Sequence, residues 1–148
     1  MSYPITSDLV MQGWLATLSA MAGVPVATRL PSPEEWGGSQ LFVTESVVAS
    51  SQDTGTPLMA TVYQVDVWGR PLGQSTRPPF GATAALATLL ERSCATPMSP
   101  GVVHATVGDY TPARVTEVSL SVGFGRVPDS ETLLARYSGK VALRWIGE

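Results

Sequence analysis

Asp66 stands between Val65 and Val67, late in a run with strong β character. A carboxylate there can act as a general acid or base, pair with Arg70, or face solvent or a pore. Acid–base sites combine a carboxylate with a second titratable group in a contrasting environment. No such group is motivated near Asp66, so it reads as part of a solvated face or an interface pair. His104 is the single histidine, and Val102-Val103-His104-Ala105-Thr106 reads as an ordinary strand. A hydrolase would need His104 joined to a Ser and to Asp66, with each group orienting the next. The chain contains no Gly-x-Ser-x-Gly elbow and no Walker loop to support that. Gly123-Phe124-Gly125 imitates the start of a dinucleotide fingerprint. Its third glycine is missing, Pro128 stands there instead, and no helix follows to hold a phosphate. One Cys (Cys94) and one His cannot form a Cys/His zinc site or an intrachain disulfide. The residues therefore nominate no catalytic, cofactor or metal site.

Trp36 lies in the Pro/Ser/Gly-rich stretch Pro31–Gln40, beside Glu34 and Glu35. It either presents an aromatic contact surface or folds back as a lid on the core. Trp36 and Trp68 together lining a metabolite pocket is a further alternative. Cys94, ending an apolar helix stripe, reads as buried and inert.

These residues need elements to hold them. The 148 residues fit one domain, 1–148, and 44% apolar content is enough for a core without metal or disulfide support. Charged residues are only 14%, against about 25% in typical domains. So little surface charge hints at permanent subunit contacts. The net charge of −3 argues against a sequence-reading DNA-binding protein. No 18-residue apolar run is present. The start Met-Ser-Tyr-Pro-Ile-Thr-Ser-Asp has no basic n-region or apolar h-region, which gives the expectation of a cytosolic origin.

A first helix is expected over Ser7–Met21, capped by Ser7 or Asp8, with Trp14 and Leu18 in the core. A short strand follows at Val26–Leu30. Leu41–Val48 and Leu58–Trp68 read as strands around a polar loop, Ala49–Pro57. In Leu58–Trp68 the odd-numbered face is apolar, and the even-numbered face turns polar at Gln64 and Asp66. A second helix spans about Pro79 or Gly81 to Cys94, with Leu86, Leu89 and Leu90 at helical spacing. Thr96–Gly101 is a connector, and His104–Pro112 is a short strand or irregular. Arg114–Phe124 alternates, with Val118, Leu120, Val122 and Phe124 on one face. Pro128–Thr132 is a turn. Leu134–Ile146 sets Ala135, Tyr137, Gly139, Val141, Leu143 and Trp145 against Arg136, Ser138, Lys140 and Arg144. The sum is α+β: a mostly antiparallel sheet with two helices on one face.

The run Ala60-Thr61-Val62-Tyr63-Gln64-Val65-Asp66-Val67-Trp68-Gly69, a short loop, and an Ala/Leu helix from Ala82 to Leu90 resemble the tail terminator (tail completion) proteins of long-tailed bacteriophages. The N-terminal helix, the early hairpin and the last strand extend the resemblance over nearly the whole chain. It implies a virion component and not an enzyme. The subunit would form a ring of six that caps the tail tube, stops its polymerisation and offers a surface to the head–tail connector. Double-stranded DNA would pass through the hole, and no cofactor or membrane is implied. A stopper or head-closure protein and a tube-like subunit are the neighbouring alternatives, and a small hydrolase is a more distant one.

Three features of the residues agree with a ring subunit. Charge is sparse. The loops Pro31–Gln40, Ala49–Pro57 and Gly69–Pro78 are long enough to reach neighbours. A net-acidic wall lets DNA slide, whereas a basic one would hold its phosphates. The residues expected at a subunit seam or the hole are Trp36, Gln64, Asp66, Arg70, Arg136, Lys140 and Arg144.

Overall fold

The computed structural model describes residues 2–95, 101–128 and 133–148. In chain order they form α1 (Ser7–Ala16), β1 (Val26–Ala27), β2 (Leu41–Gln52), β3 (Met59–Gly69), α2 (Phe80–Cys94), β4 (Gly101–Val103), β5 (Ala113–Arg126) and β6 (Ala135–Gly147). The strands make one sheet in the order β1-β2-β3-β6-β5-β4. All pairings are antiparallel except β1 with β2. This is the expected α+β class.

Alternation in β3 and β6 dictates the core. Tyr63, Val65 and Val67 of β3 are fully buried, as are Val141, Leu143 and Trp145 of β6. Both helices cover that face. Val10, Met11, Trp14 and Leu15 of α1 and Leu86, Ala87, Leu90 and Cys94 of α2 join the same apolar cluster. Burying each large apolar side chain of this kind contributes about 1.5–3 kcal/mol. The other face of the sheet carries no helix.

The sheet curls. Helix α1 touches both β2 and β4, which are four places apart in the strand order. A Cβ on Gly13 would collide with the carbonyl oxygen of His104, just past β4, so a side-chain-free position lets the helix seat there. The N-terminal segment is fastened at the same end by a Tyr3–Tyr110 bridge.

Several expectations are corrected. The first helix ends at Ala16 and not at Met21. The Thr17 hydroxyl bonds the Trp14 carbonyl at 2.6 Å, competing with helix continuation. Leu18 is extended and only half-buried, and a short 3₁₀ turn spans Ser19–Met21. The N-cap is Thr6, without a side-chain bond. The strand expected at Val26–Leu30 is two residues long. β2 runs on to Gln52, past a bulge between Val47 and Ala49, so the hairpin turn is shorter than Ala49–Pro57. Leu89 faces solvent. His104 lies beyond β4, outside any strand. Bulges in β5 reset its phase: Val118 and Leu120 pair with Leu143 and Val141 on the core face, but Val122 pairs with Lys140 on the opposite one. Residues 96–100 of the expected connector and 129–132 of the expected turn lie outside the described residues.

Candidate interaction face

The helix-free face of β3 and β6 gathers most of the residues nominated from sequence. Register places Gln64 opposite Lys140 and Asp66 opposite Ser138, and it places Trp68 opposite Arg136 and Ala60 opposite Arg144. Asp66 does not pair with Arg70. Its Oδ2 accepts from Arg136 Nη2 at 2.9 Å, and Gln64 Nε2 donates to the same carboxylate at 3.3 Å. The Arg136 guanidinium also stacks on Trp68, 4.8 Å from the ring centre. Trp68 Nε1 in turn donates to the Thr44 hydroxyl at 3.0 Å. The result is a polar strip running across β2, β3 and β6. Arg144, further along β6, is exposed and reaches Asp53 at 3.5 Å and Glu117 at 3.9 Å.

Trp36 is a lid, but not on the helix-covered core. It is 2% exposed and packs on Phe42 of β2, ring centres 5.5 Å apart, on the helix-free face. Its Nε1 donates to the Pro31 carbonyl. Arg70 fastens the loop: its Nε donates to the Ser39 carbonyl at 2.7 Å, and its guanidinium lies 6.0 Å from the Trp36 ring. Thus the Pro31–Gln40 loop, with its short 3₁₀ turn at Pro33–Glu35, covers Phe42 at one end of the face, while Trp68 packs by Thr44, and Arg136 and Gln64 hold Asp66. Trp36 and Trp68 are each engaged in these internal contacts.

The hydrolase constellation is not assembled. His104 is exposed, and its backbone lies against α1 on the helix-covered side. Asp66 is on the other face, held by Arg136 and Gln64. Among the described residues no three His, Cys, Asp or Glu side chains gather as a metal site.

One titratable residue was missed in the sequence. Glu45, in β2, is 1% exposed on the core face. Gln12 Nε2 of α1 donates to its Oε1 at 3.2 Å. Burial pushes its pKa up to about 8, and the nearby Asp8 carboxylate adds to the rise while Gln12 opposes it. The signal was available: Glu45 shares the parity of Val43 in Leu41–Val48. Cys94 is buried, and burial pushes its thiol up to about 11.

No family model matches the chain, and no curated protein matches it. Among solved structures its fold is that of a chain in the virion of a native gene transfer agent particle. The two align at 14% identity and a TM-score of 0.54, over 94% of this chain and 92% of that one. At this identity it is a likeness of fold.

Proposed function

We propose that the protein is a structural virion subunit of a phage-like particle, and that it acts in the tail or neck as a terminator. Copies would close into a ring, six by the family resemblance, that caps the tail tube and offers its other surface to a head–tail connector. The observation that carries this reading is the end-to-end fold likeness to a chain of a gene transfer agent virion.

The helix-free face supports a seam or lumen role for Gln64, Asp66, Arg136, Lys140 and Arg144. Its two arginines are already paired, Arg136 with Asp66 and Arg144 with Asp53 and Glu117. Paired guanidiniums do not compete strongly for phosphates, so DNA crossing such a wall meets few sites that retain it. The role needs no chemistry beyond shape and adhesion.

The test is light scattering with negative-stain microscopy on the purified protein, alone and with assembled tail tubes. A terminator gives one closed ring at the tube end and no further growth. Open-ended polymerisation by the protein alone would identify a tube subunit, and binding to the portal side only would identify a stopper.

A further inference from the structure

The sheet has two long open edges. β1 pairs with β2 only at Val43 and Thr44, so β2 beyond Glu45 has β3 on one side and no strand on the other among the described residues. The Val43 amide donates outward to the Pro25 carbonyl. Alternation along the strand then points the amides of Glu45 and Val47 to the same open side. At the other edge, β4 pairs with β5 only over Ala113–Val115, and among the described residues no strand lies beside Glu117–Gly123, up to Phe124. The Phe124 amide is taken by Glu91 of α2.

Both edges carry little of the usual protection among the described residues. Ser46 to Gln52 and Val118 to Gly125 contain no charged residue and no proline. Val48 is 49% exposed and Val122 51%. Natural sheets blunt exposed edges with Lys, Pro or a covering element, because a bare edge templates pairing with another chain. Both open stretches carry bulges, and the charge on them is confined to Glu117 at the start of the β5 stretch.

We infer that the open edge of β5 in one copy pairs antiparallel with the open edge of β2 in the next. The inference rests on the ring reading above and names the seam. Three observations select a second copy as the occupant. First, β2, β3, β6 and β5 alternate in direction, so the two edge strands of one copy run oppositely. Rotation about an axis along the strands keeps those directions, and β5 then meets its neighbour's β2 antiparallel. Second, the open stretches are level: Val47, Tyr63, Val141 and Leu120 form one row across the sheet, and Ser50, Thr61, Leu143 and Val118 form another. No slide along the strand is needed. Third, the two stretches match in chemistry: Ser46 to Gln52 and Val118 to Gly125 are both uncharged mixtures of valine, serine and other small residues with few long side chains. Such an interface is heterologous, so it propagates from copy to copy until the rotation closes.

A Ser46→Cys/Val122→Cys double variant tests this, its two positions sharing a row through Gln64 and Lys140, with the two single variants alongside. Two further double variants, Ser46→Cys/Ser121→Cys and Ser50→Cys/Ser119→Cys, cover the neighbouring registers. Cys94 is buried and does not interfere. Circular dichroism reports folding, light scattering reports the oligomer, and a non-reducing gel after mild oxidation reports the seam. The expected result is a covalent ladder in one-subunit steps from at least one double variant, and none from either single variant. Val48→Lys should convert the ring to single copies without lowering the melting temperature. A dimer from Ser46→Cys alone would show β2 pairing with β2 about a two-fold axis and overturn the inference. Rings without any ladder would overturn the edge seam and leave the ring intact. Single copies throughout, even with tail tubes added, would overturn both.

Discussion

Gln12 of α1 and Glu45 of β2 form a polar contact that ties the first helix to the sheet beside an apolar core, Nε2 to Oε1 at 3.2 Å. The carboxyl is buried beside Asp8 of α1. The proton on Glu45 is therefore part of the folded structure at neutral pH.

Stability should fall as pH rises. The folded-state pKa of about 8 lies above the ordinary value of 4.5, so the folded chain binds more protons than the unfolded one between those values. The stabilisation is fully present below about pH 4.5 as far as this group is concerned, and it is lost as pH rises through 8. Glu45→Gln keeps the shape and removes the titration. Denaturant midpoints from pH 5 to 9 should slope downward for the natural chain and flatten for the variant, which becomes the more stable of the two at pH 9. Parallel slopes would show that Glu45 ionises freely.

Breaking the strip on the helix-free face should be costly at Asp66. Asp66→Ala leaves the Arg136 guanidinium, whose Nε has no hydrogen bond among the described residues, without its carboxylate. The expected loss is about 1–3 kcal/mol of unfolding free energy. Asp66→Asn should lose less, since the amide oxygen still accepts from Arg136. Equal losses would mean that the charge is immaterial.

Gly13→Ala and Gly81→Ala make a matched pair. Both glycines lie in helices, but a Cβ at Gly13 meets the His104 carbonyl, whereas one at Gly81 meets nothing within 4 Å. Gly81→Ala should stabilise by about 0.5–1 kcal/mol through backbone entropy. Gly13→Ala should destabilise by about 1–3 kcal/mol, because the helix must move off a backbone that cannot yield. Thermal melts of both variants check the sign.

His104→Ala should change stability by no more than about 0.5 kcal/mol, because its side chain is exposed and its contribution to the α1 contact is a carbonyl. Assembly should be unaffected. Loss of a measurable activity with folding and assembly intact would instead revive a catalytic role.

Trp36→Ala should lower stability by about 3 kcal/mol by emptying the space over Phe42. Trp36→Phe keeps an aromatic ring there and loses the Pro31 bond, for about 1 kcal/mol. Urea titrations of both variants separate packing from hydrogen bonding.

The class of fold and the two faces of β3 and β6 were written in the sequence. A period of two in Met59–Gly69 and Ala135–Gly147 is set by backbone geometry, so it shows which side chains are partners before any contact is known. That is why Gln64, Asp66, Arg136, Lys140 and Arg144 were found together on one surface. Long-range pairing decided the rest. Only the register of β3 on β6 brings Arg136 rather than Arg70 to Asp66. Only the curl of the sheet brings His104 to Gly13. The bulges of β5 turn Val122 off the core face against its own alternation. Whether Trp36 faced outward or inward depended on a place to dock, and Phe42 supplied it on the face that alternation alone had left open. Local periodicity is a property of the chain. Which strand lies beside which, and which edge is left without a neighbour, is settled only when distant segments bury a common core.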